Sequence, residues 1–308
     1  MKPENFNSQS TSLDRPPAAL VQASTASAPR LPVHPAGNGA EKEPHNRSFS
    51  WTALLAEAVR QPGLMLEAYR RFHTYSIGNQ ILALTQCRHR GLQPGPLASF
   101  AAWKKLGRHV KAGEKGLTLC MPVLHAHKEN VTNEDGSSSE TVVARTYFVY
   151  RSFWFVLEQT WGREYQPPAI PGWSRSRALA TLGIETIPYS ELNGNAQGYA
   201  LRGRKVAINP MAQLPEKTLL HEIAHALLHC GEKDREDNDA TPRSLAEVEA
   251  EAVALICCEA LDLEGAEYCR GYIQSWGKHQ PIPEASAKRI FHAADQILKA
   301  GYEREEGR

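Results

Sequence analysis

The spacing of the hydrophobic residues predicts a mixed α and β structure from about residue 49 onward. Large apolar residues recur at helical intervals over residues 51–59 and again over residues 77–91. Pro62 and Gly63 stop the first of these helices. Glycines then interrupt the apolar residues of 98–123, a pattern typical of a short helix, a turn and a strand.

Aromatic and aliphatic residues alternate over residues 146–157 and predict a further strand, and the polar stretch 130–140 before it predicts a loop. Residues 175–182 have helical spacing again. Two short strands are expected after this helix, at residues 184–187 and 205–208. Three helices complete the predicted C-terminal part, at residues 215–229, 244–261 and 283–300.

Composition divides the chain into four predicted segments. Residues 1–45 are rich in small and polar residues and cannot bury enough apolar surface to offset their ordering entropy, so this arm is expected to be disordered. Residues 46–165 predict an α+β domain, and the Pro-rich residues 166–174 predict its linker to the rest. Residues 175–308 predict a mainly helical second domain, so the expected fold class is α+β.

Charge is balanced over the whole chain but uneven along it. Residues 46–125 contain eleven Lys or Arg against three Glu, whereas residues 221–270 contain thirteen acids against four basic residues. This asymmetry favours a module that binds a polyanion, joined to a second module of different chemistry. Two solvated faces of opposite charge are the alternative.

The six cysteines show no CxxC pair, which indicates reduced thiols. No hydrophobic signal segment follows Met1, and no apolar run is long enough to span a membrane. We therefore expect a cytoplasmic protein without a membrane partner.

His221, Glu222 and His225 form an HExxH pattern. Residues four apart on a helix are neighbours, so both imidazoles can bind one Zn²⁺ at about 2.0–2.1 Å. The glutamate between them can reach a water molecule on the ion. The three residues share a polar face opposite a broad apolar face, which predicts a zinc site with Glu222 as general base. An ordinary amphipathic surface helix is the alternative.

A third ligand must come from another part of the chain. His229 lies roughly 12 Å along the helix axis from His221, which is too far to share its ion. Gly231 stands where a metzincin would need a further histidine. A later predicted helix carries several acids among apolar residues, and buried carboxylates need a counter-charge. We expect Glu249 to be the ligand, with Glu251 next; solvent exposure of these acids is the alternative.

Two histidines, one carboxylate and an open position predict hydrolysis of a peptide or amide bond. Zinc lowers the pKa of its water toward about 7, and Glu222 passes the proton of that water to the leaving amine. The expected partner is a protein substrate that the sequence does not identify. The group that stabilises the oxyanion stays open among Tyr189, Tyr199 and His229.

The HExxH segment followed by residues 247–254 resembles the ImmA/IrrE-like branch of gluzincin metallopeptidases, in which an E-x-E-A helix supplies the third ligand. The resemblance implies that this ligand is the Glu directly before the Ala, here Glu249.

The N-terminal part resembles the single-stranded-DNA-binding domain of ArdC-type antirestriction proteins. The matching segments are residues 72–80, 103–110, 111–116 and 153–162, and the likeness extends over about residues 47–265 in the family's domain order. It implies a protein of a plasmid or another mobile element that binds single-stranded DNA. Such a protein protects incoming DNA from host restriction and carries a zinc peptidase-like domain.

Basic and aromatic residues lie close together in this N-terminal part, a composition that suits single-stranded DNA. Cations follow the phosphates, and bases stack on aromatic faces. The candidate contacts are Arg70, Arg71, Phe72, Tyr75, Trp103, Lys104, Lys105, Arg108, Lys111 and Lys115. Phe72 and Trp103 are equally expected as core residues, and the lysines as an ordinary solvated edge.

The sequence leaves more than one function open. The first is a DNA-tethered metallopeptidase that cleaves a host protein. The second is a non-catalytic protein that coats single-stranded DNA and uses its zincin domain as a scaffold or sensor. Glu222 favours the first, because a structural zinc site has no use for a base. A protease of a phage or toxin–antitoxin regulator is a weaker third candidate.

Overall fold

The computed structural model describes residues 50–132, 138–190, 196–230, 242–278 and 280–303, without the side chains of residue 125 and residues 127–145. The predicted N-terminal arm, residues 1–45, lies outside the described residues. The described residues belong to one compact unit.

Helices α1 Trp51–Arg60, α2 Leu64–Phe72 and α3 Ile77–Arg90 open this unit. The Ser50 hydroxyl accepts a hydrogen bond from the Ala53 amide 3.2 Å away and so caps α1. Gly63, with a φ of 77°, makes the turn between α1 and α2. The predicted helices at α1 and α3 are confirmed, whereas α2 is absent from the sequence prediction.

A long antiparallel hairpin forms most of the N-terminal sheet. Strand β3 Leu117–Thr132 pairs with β4 Ser138–Val156, and β1 Leu97–Ser99 pairs with the other side of β4. The predicted strand at 146–157 is confirmed as part of β4. The predicted loop at 130–140 is wrong at both ends, since Asn130 pairs with Glu140 and Thr132 with Ser138. Backbone pairing does not require apolar side chains, so a polar sequence can continue the hairpin.

A short helix and a two-stranded ribbon flank this sheet. Helix α4 Phe100–Lys105 follows β1 and is capped by Ser99, whose hydroxyl lies 3.2 Å from the Ala102 amide. Strand β2 Arg108–Val110 pairs antiparallel with β5 Thr160–Gly162, which places His109 opposite Trp161. The short helix, turn and strand predicted within residues 98–123 are confirmed.

A second sheet lies in the C-terminal part, after helix α5 Arg175–Leu182. Its strands are β6 Glu185–Thr186, β7 Gly198–Leu201 and β8 Lys205–Ile208. Strand β8 is central, with β6 parallel and β7 antiparallel to it. The sequence predicts α5, β6 and β8, but not β7, which forms one edge of the sheet.

The remaining helices are α6 Pro215–Leu228, α7 Arg243–Leu261, α8 Ala266–Gly277 and α9 Glu284–Ala300. The sequence predicts three of them and lacks α8, which buries Cys269, Arg270 and Ile273 and so has a weak apolar face. The α+β fold class is confirmed. Among the described residues, no helix combines the length and apolarity that crossing a membrane requires.

Helix α7 lies in the middle of the hydrophobic core. Its side chains are buried almost without interruption from Val248 to Ala260, and it contacts α2 as well as α6, α8 and α9. Helix α1 also contacts α9. The N-terminal and C-terminal helices therefore share a core that does not break at the predicted linker, residues 166–174. The predicted domain limits stay a prediction.

Candidate functional site

Helix α6 holds the HExxH residues next to the core. Its first residue, Pro215, has no amide hydrogen to leave unpaired and suits a helix start. The face toward the core is formed by Leu219, Leu220, Ile223 and Ala224, which are all buried. His221 and His225 are one turn apart on another face, with ring centroids 4.7 Å from each other. The buried apolar face thus fixes the direction in which the imidazoles point.

Three donor atoms meet at this face: the Nε2 atoms of His221 and His225 and the Oε2 atom of Glu247, which is carried by α7. The two nitrogens are 3.1 Å apart, and Oε2 lies 3.5 Å from the first and 3.6 Å from the second. Tetrahedral ligands about 2.05 Å from a zinc ion are roughly 3.3–3.4 Å from one another. The spacing of the three atoms therefore fits one small divalent cation.

Glu249, the ligand expected from the sequence, does not join these donors. Its side chain is fully buried, with Oε2 3.0 Å from His229 Nε2 and Oε1 2.5 Å from Arg289 Nη2. Two residues along a helix correspond to a rotation of about 200°, so Glu249 leaves α7 in a different direction from Glu247. It reaches His229 at the end of α6 and Arg289 of α9 instead of the donor atoms. Glu247 takes the place in the cluster that the sequence prediction assigned to Glu249.

Glu251, the second choice from the sequence, lies one turn after Glu247 and also faces α6. Its Oε1 atom is 3.3 Å from Nδ1 of His221 and 2.5 Å from Nζ of Lys217. Glu251 therefore approaches the side of the imidazole opposite to the three donor atoms. Its position suits orientation of His221 better than direct binding of a cation.

The electrostatics of the cluster favour a positive charge among the donors. Burial lowers the pKa of His221, but the carboxylates of Glu247 and Glu251 outweigh burial and raise this pKa to about 9. The same histidine contacts hold the pKa of Glu247 well below its usual value. Burial raises the pKa of Glu222, although His221 and His225 oppose the shift. A carboxyl with a raised pKa is suited to accept a proton near neutral pH.

The cluster opens into a cavity of about 490 Å³ that is lined in part by strand β7. Gly198 of β7 lies so close to α6 that a Cβ atom there would be 3.1 Å from Cγ of Glu222 and 2.9 Å from the Ala207 carbonyl oxygen. Of the three candidates for oxyanion stabilisation, Tyr199 lines this cavity, and its hydroxyl lies 3.0 Å from the Ser190 hydroxyl. The Tyr189 hydroxyl instead donates to the carbonyl of Ala196.

Residues 51–155 match the family model described as the N-terminal domain of anti-restriction factor ArdC. The chain carries an ArdC-type N-terminal domain. The match covers α1 to β4 and ends before the cluster on α6 and α7. It confirms the family resemblance that the sequence of this part predicts.

Two crystal structures of the antirestriction ArdC protein from R388 plasmid are similar to this chain. The metal-free structure has 20% sequence identity and a TM-score of 0.44, covering 82% of this chain and 94% of that one. The Mn(II)-bound structure has 18% identity and a TM-score of 0.46, covering 82% and 97%. A comparison with curated proteins finds no match.

The aromatic residues proposed from the sequence as stacking platforms are structural parts of the ArdC-type N-terminal domain. Phe72 and Trp103 are each 1% exposed, and the Trp103 indole nitrogen donates to the Phe155 carbonyl 2.7 Å away. The Tyr75 hydroxyl donates to the Leu97 carbonyl. Buried faces cannot stack with bases, so the assignment of Phe72 and Trp103 as base contacts is wrong.

The ribbon of β2 and β5 exposes a different aromatic surface, and its strand β5 follows the matched residues 51–155. Trp161 is 59% exposed, and the centroid of its ring lies 5.0 Å from the ring centroid of His109 on the paired strand. Phe100 and Phe153 are also exposed. The sequence analysis does not select these residues as DNA contacts, and alternation along strands as short as β2 and β5 does not reveal which face is buried.

Most basic residues proposed from the sequence lie on the surface. Arg71, Lys104, Lys105, Lys111 and Lys115 are exposed. Arg70 is paired with Asp262 at 2.9 Å, and Arg108 is held against β5 with Nε 2.8 Å from the Thr160 hydroxyl. Lys104, Lys105 and Lys111 flank β2 in the sequence. We call His109, Trp161 and these three lysines the Trp161 surface.

Proposed function

We propose that this protein is an antirestriction factor of a plasmid or another mobile element, with a zinc-dependent peptidase centre on α6 and α7. The observation that carries the proposal is the convergence of His221, His225 and Glu247 beside Glu222. These donors are spaced as the corners of one tetrahedral site, and a base stands next to them. A purely structural site would have no use for Glu222.

The peptidase chemistry follows from the positions of these residues. A bound zinc ion supplies a Lewis acid that polarises the substrate carbonyl and lowers the pKa of water. The Glu222 carboxylate accepts a proton from the water whose oxygen attacks the carbonyl carbon. It returns this proton to the nitrogen that leaves when the C–N bond breaks. The cavity along β7 provides the space for an extended peptide.

The same proposal assigns single-stranded DNA to the ArdC-type domain. The Trp161 surface offers an exposed aromatic face with lysines close by in the sequence. Stacking on aromatic rings combined with phosphate contacts gives binding with little base preference and a steep dependence on salt. The domain would hold entering DNA, and the peptidase centre would act on a protein that meets it there.

The test is Glu222→Gln in the full chain, compared with the wild type and with the control Glu216→Gln. Glu216 is on the same helix but pairs with Arg175 at the surface. We expect all three proteins to bind one zinc ion. Hydrolysis of fluorescein-labelled casein should fall about 10²–10⁴-fold in Glu222→Gln alone. A wild type that contains no zinc after loading would contradict the metal centre.

Protection of DNA entering a restricting host separates the two functions that the sequence leaves open. If Glu222→Gln protects transferred DNA as well as the wild type does, catalysis is not the mechanism of protection. The non-catalytic alternative, a coat on single-stranded DNA with a zincin scaffold, would then be correct. If protection falls together with hydrolysis, the peptidase activity is required.

A further inference from the structure

A chain of polar contacts begins at the candidate ligand His225 and continues behind it. Nδ1 of His225, the nitrogen that faces away from the other donors, lies 3.0 Å from Nδ1 of His229. His229 Nε2 lies 3.0 Å from Oε2 of Glu249. The second carboxylate oxygen lies 2.5 Å from Arg289 of α9, whose guanidinium is 3.2 Å from the Ser286 hydroxyl.

These contacts allow one consistent assignment of protons. If Nε2 of His225 faces a cation, the neutral ring carries its proton on Nδ1 and donates it to Nδ1 of His229. His229 then carries its own proton on Nε2 and donates it to Glu249. The Glu249 carboxylate stays ionised, because Arg289 balances its charge. Each imidazole N–H in this series of contacts thereby has an acceptor.

The cost of burying Glu249 indicates that this arrangement is specific. The side chain of Glu249 is 0% exposed and that of His229 is 14% exposed. A buried carboxylate is tolerated when hydrogen bonds and a counter-charge satisfy it. Here one oxygen meets His229 and the other meets Arg289, so the acid forms a fixed anchor between α6 and α9 at the back of the candidate centre.

We propose that His229 and Glu249 are positioning residues that fix the ring of His225 and strengthen its Nε2 atom as a donor to a divalent cation. The inference rests on the proposed metal centre. Histidine ligands commonly donate their second ring nitrogen to a carboxylate, and removal of that partner typically weakens metal binding 10–100-fold. In this protein a second imidazole stands between the ligand and the carboxylate.

The experiment measures zinc affinity of the full chain by competition with a chromophoric chelator. His229→Ala and Glu249→Gln should each bind zinc about 10–100-fold more weakly than the wild type. The double variant should bind no more weakly than His229→Ala, because Glu249 acts through His229. The visible spectrum of the Co²⁺-loaded proteins should keep its four-coordinate intensity, since no ligand is removed.

Glu259→Gln is the matched control. Glu259 is a buried acid of the same helix and pairs with Arg270, far along α7 from the cluster. It should lower the stability of the protein and leave the zinc affinity unchanged. Equal loss of zinc affinity in this control would show that the loss reflects weakened folding. It would overturn the positioning role of His229 and Glu249.

Other outcomes separate this inference from the proposed function. A wild type that binds no zinc removes the metal centre itself. If the wild type and His229→Ala bind zinc with the same affinity, the metal centre stands. Only the positioning role of His229 and Glu249 is then overturned. A double variant that binds more weakly than His229→Ala would show that Glu249 acts independently, which also overturns it.

Discussion

Three glutamates of α7 within five residues of one another have three different surroundings. Glu247 meets the two imidazoles, Glu249 is enclosed between His229 and Arg289, and Glu251 lies against Lys217. The acids have the same chemistry, so the direction in which each Cα–Cβ bond leaves the helix determines which of them can bind a cation.

Replacement of Glu247 tests its role as third ligand. In Glu247→Ala we expect zinc affinity to fall by more than the roughly 100-fold upper range for residues that act behind a ligand. Chelator competition measures this change, with the exposed Glu264→Ala as control. Zinc affinity that survives Glu247→Ala and is lost in Glu251→Ala would assign the ligand to Glu251 instead.

Exposure also decides which aromatic residue can contact DNA. Trp161 is 59% exposed, so Trp161→Ala should cost about 1–3 kcal/mol in binding of a labelled single-stranded oligonucleotide, with the fold unchanged. Tyr268→Ala is the control, because Tyr268 is exposed on α8 outside this surface. Equal affinity of Trp161→Ala and the wild type at low salt would remove the Trp161 surface as the binding site.

Equal affinity of the wild type for single-stranded and double-stranded DNA would argue against a preference for single strands.

At the scale of elements, a group of hydrogen bonds joins the start of α1 to the start of α9. The Glu284 carboxylate at the start of α9 accepts hydrogen bonds from the Trp51 and Thr52 amides at 2.9 and 3.1 Å, and from the Ser50 hydroxyl at 2.9 Å. These amides belong to the first turn of α1, where helices lack internal acceptors. A negative charge at that end is also favourable for the helix dipole.

We expect Glu284→Ala to lower the free energy of unfolding by about 1 kcal/mol at pH 7. Burial raises the pKa of Glu284, but the amide hydrogen bonds outweigh burial and lower it from 4.5. Folding therefore favours the ionised form of Glu284. Its contribution to the free energy of unfolding is present above pH 4.5 and is lost as the pH falls through the lowered pKa. Urea unfolding at pH 7 and at lower pH measures the difference, with Glu264→Ala as control. A difference that grows as the pH falls would contradict this assignment.

At the scale of the molecule, α7 belongs both to the candidate metal centre and to the core that α2 shares. A ligand that binds only the folded state stabilises every element that unfolds together with its binding site. For zinc this stabilisation is about 2.7 kcal/mol when the free concentration is a hundred times the Kd. Removal of zinc with EDTA should therefore accelerate amide hydrogen exchange in α2 and α3 as well as in α6 and α7. Faster exchange confined to α6 and α7 would show that the N-terminal helices are stable on their own.

Much of the helical structure is visible in the sequence, because amphipathic periods and terminal signals are local. Helices α1, α3, α5, α6, α7 and α9 and the pattern of His221, Glu222 and His225 are of this kind. The sequence prediction lacks α2, α8 and β7. Strand β7 forms only by pairing with β8, and α2 and α8 both pack against α7.

Local spacing thus suffices to place two histidines and a glutamate together on α6 and to indicate an acid from α7 as their partner. The identity of that acid depends on how α7 is rotated against α6, and this rotation is set by the burial of α7 against α2, α8 and α9. The same holds for the proposed DNA contacts. Sequence supplies aromatic and basic residues, but the packing of α4 and β4 buries Trp103 and leaves Trp161 exposed, because burial is a property of the assembled core.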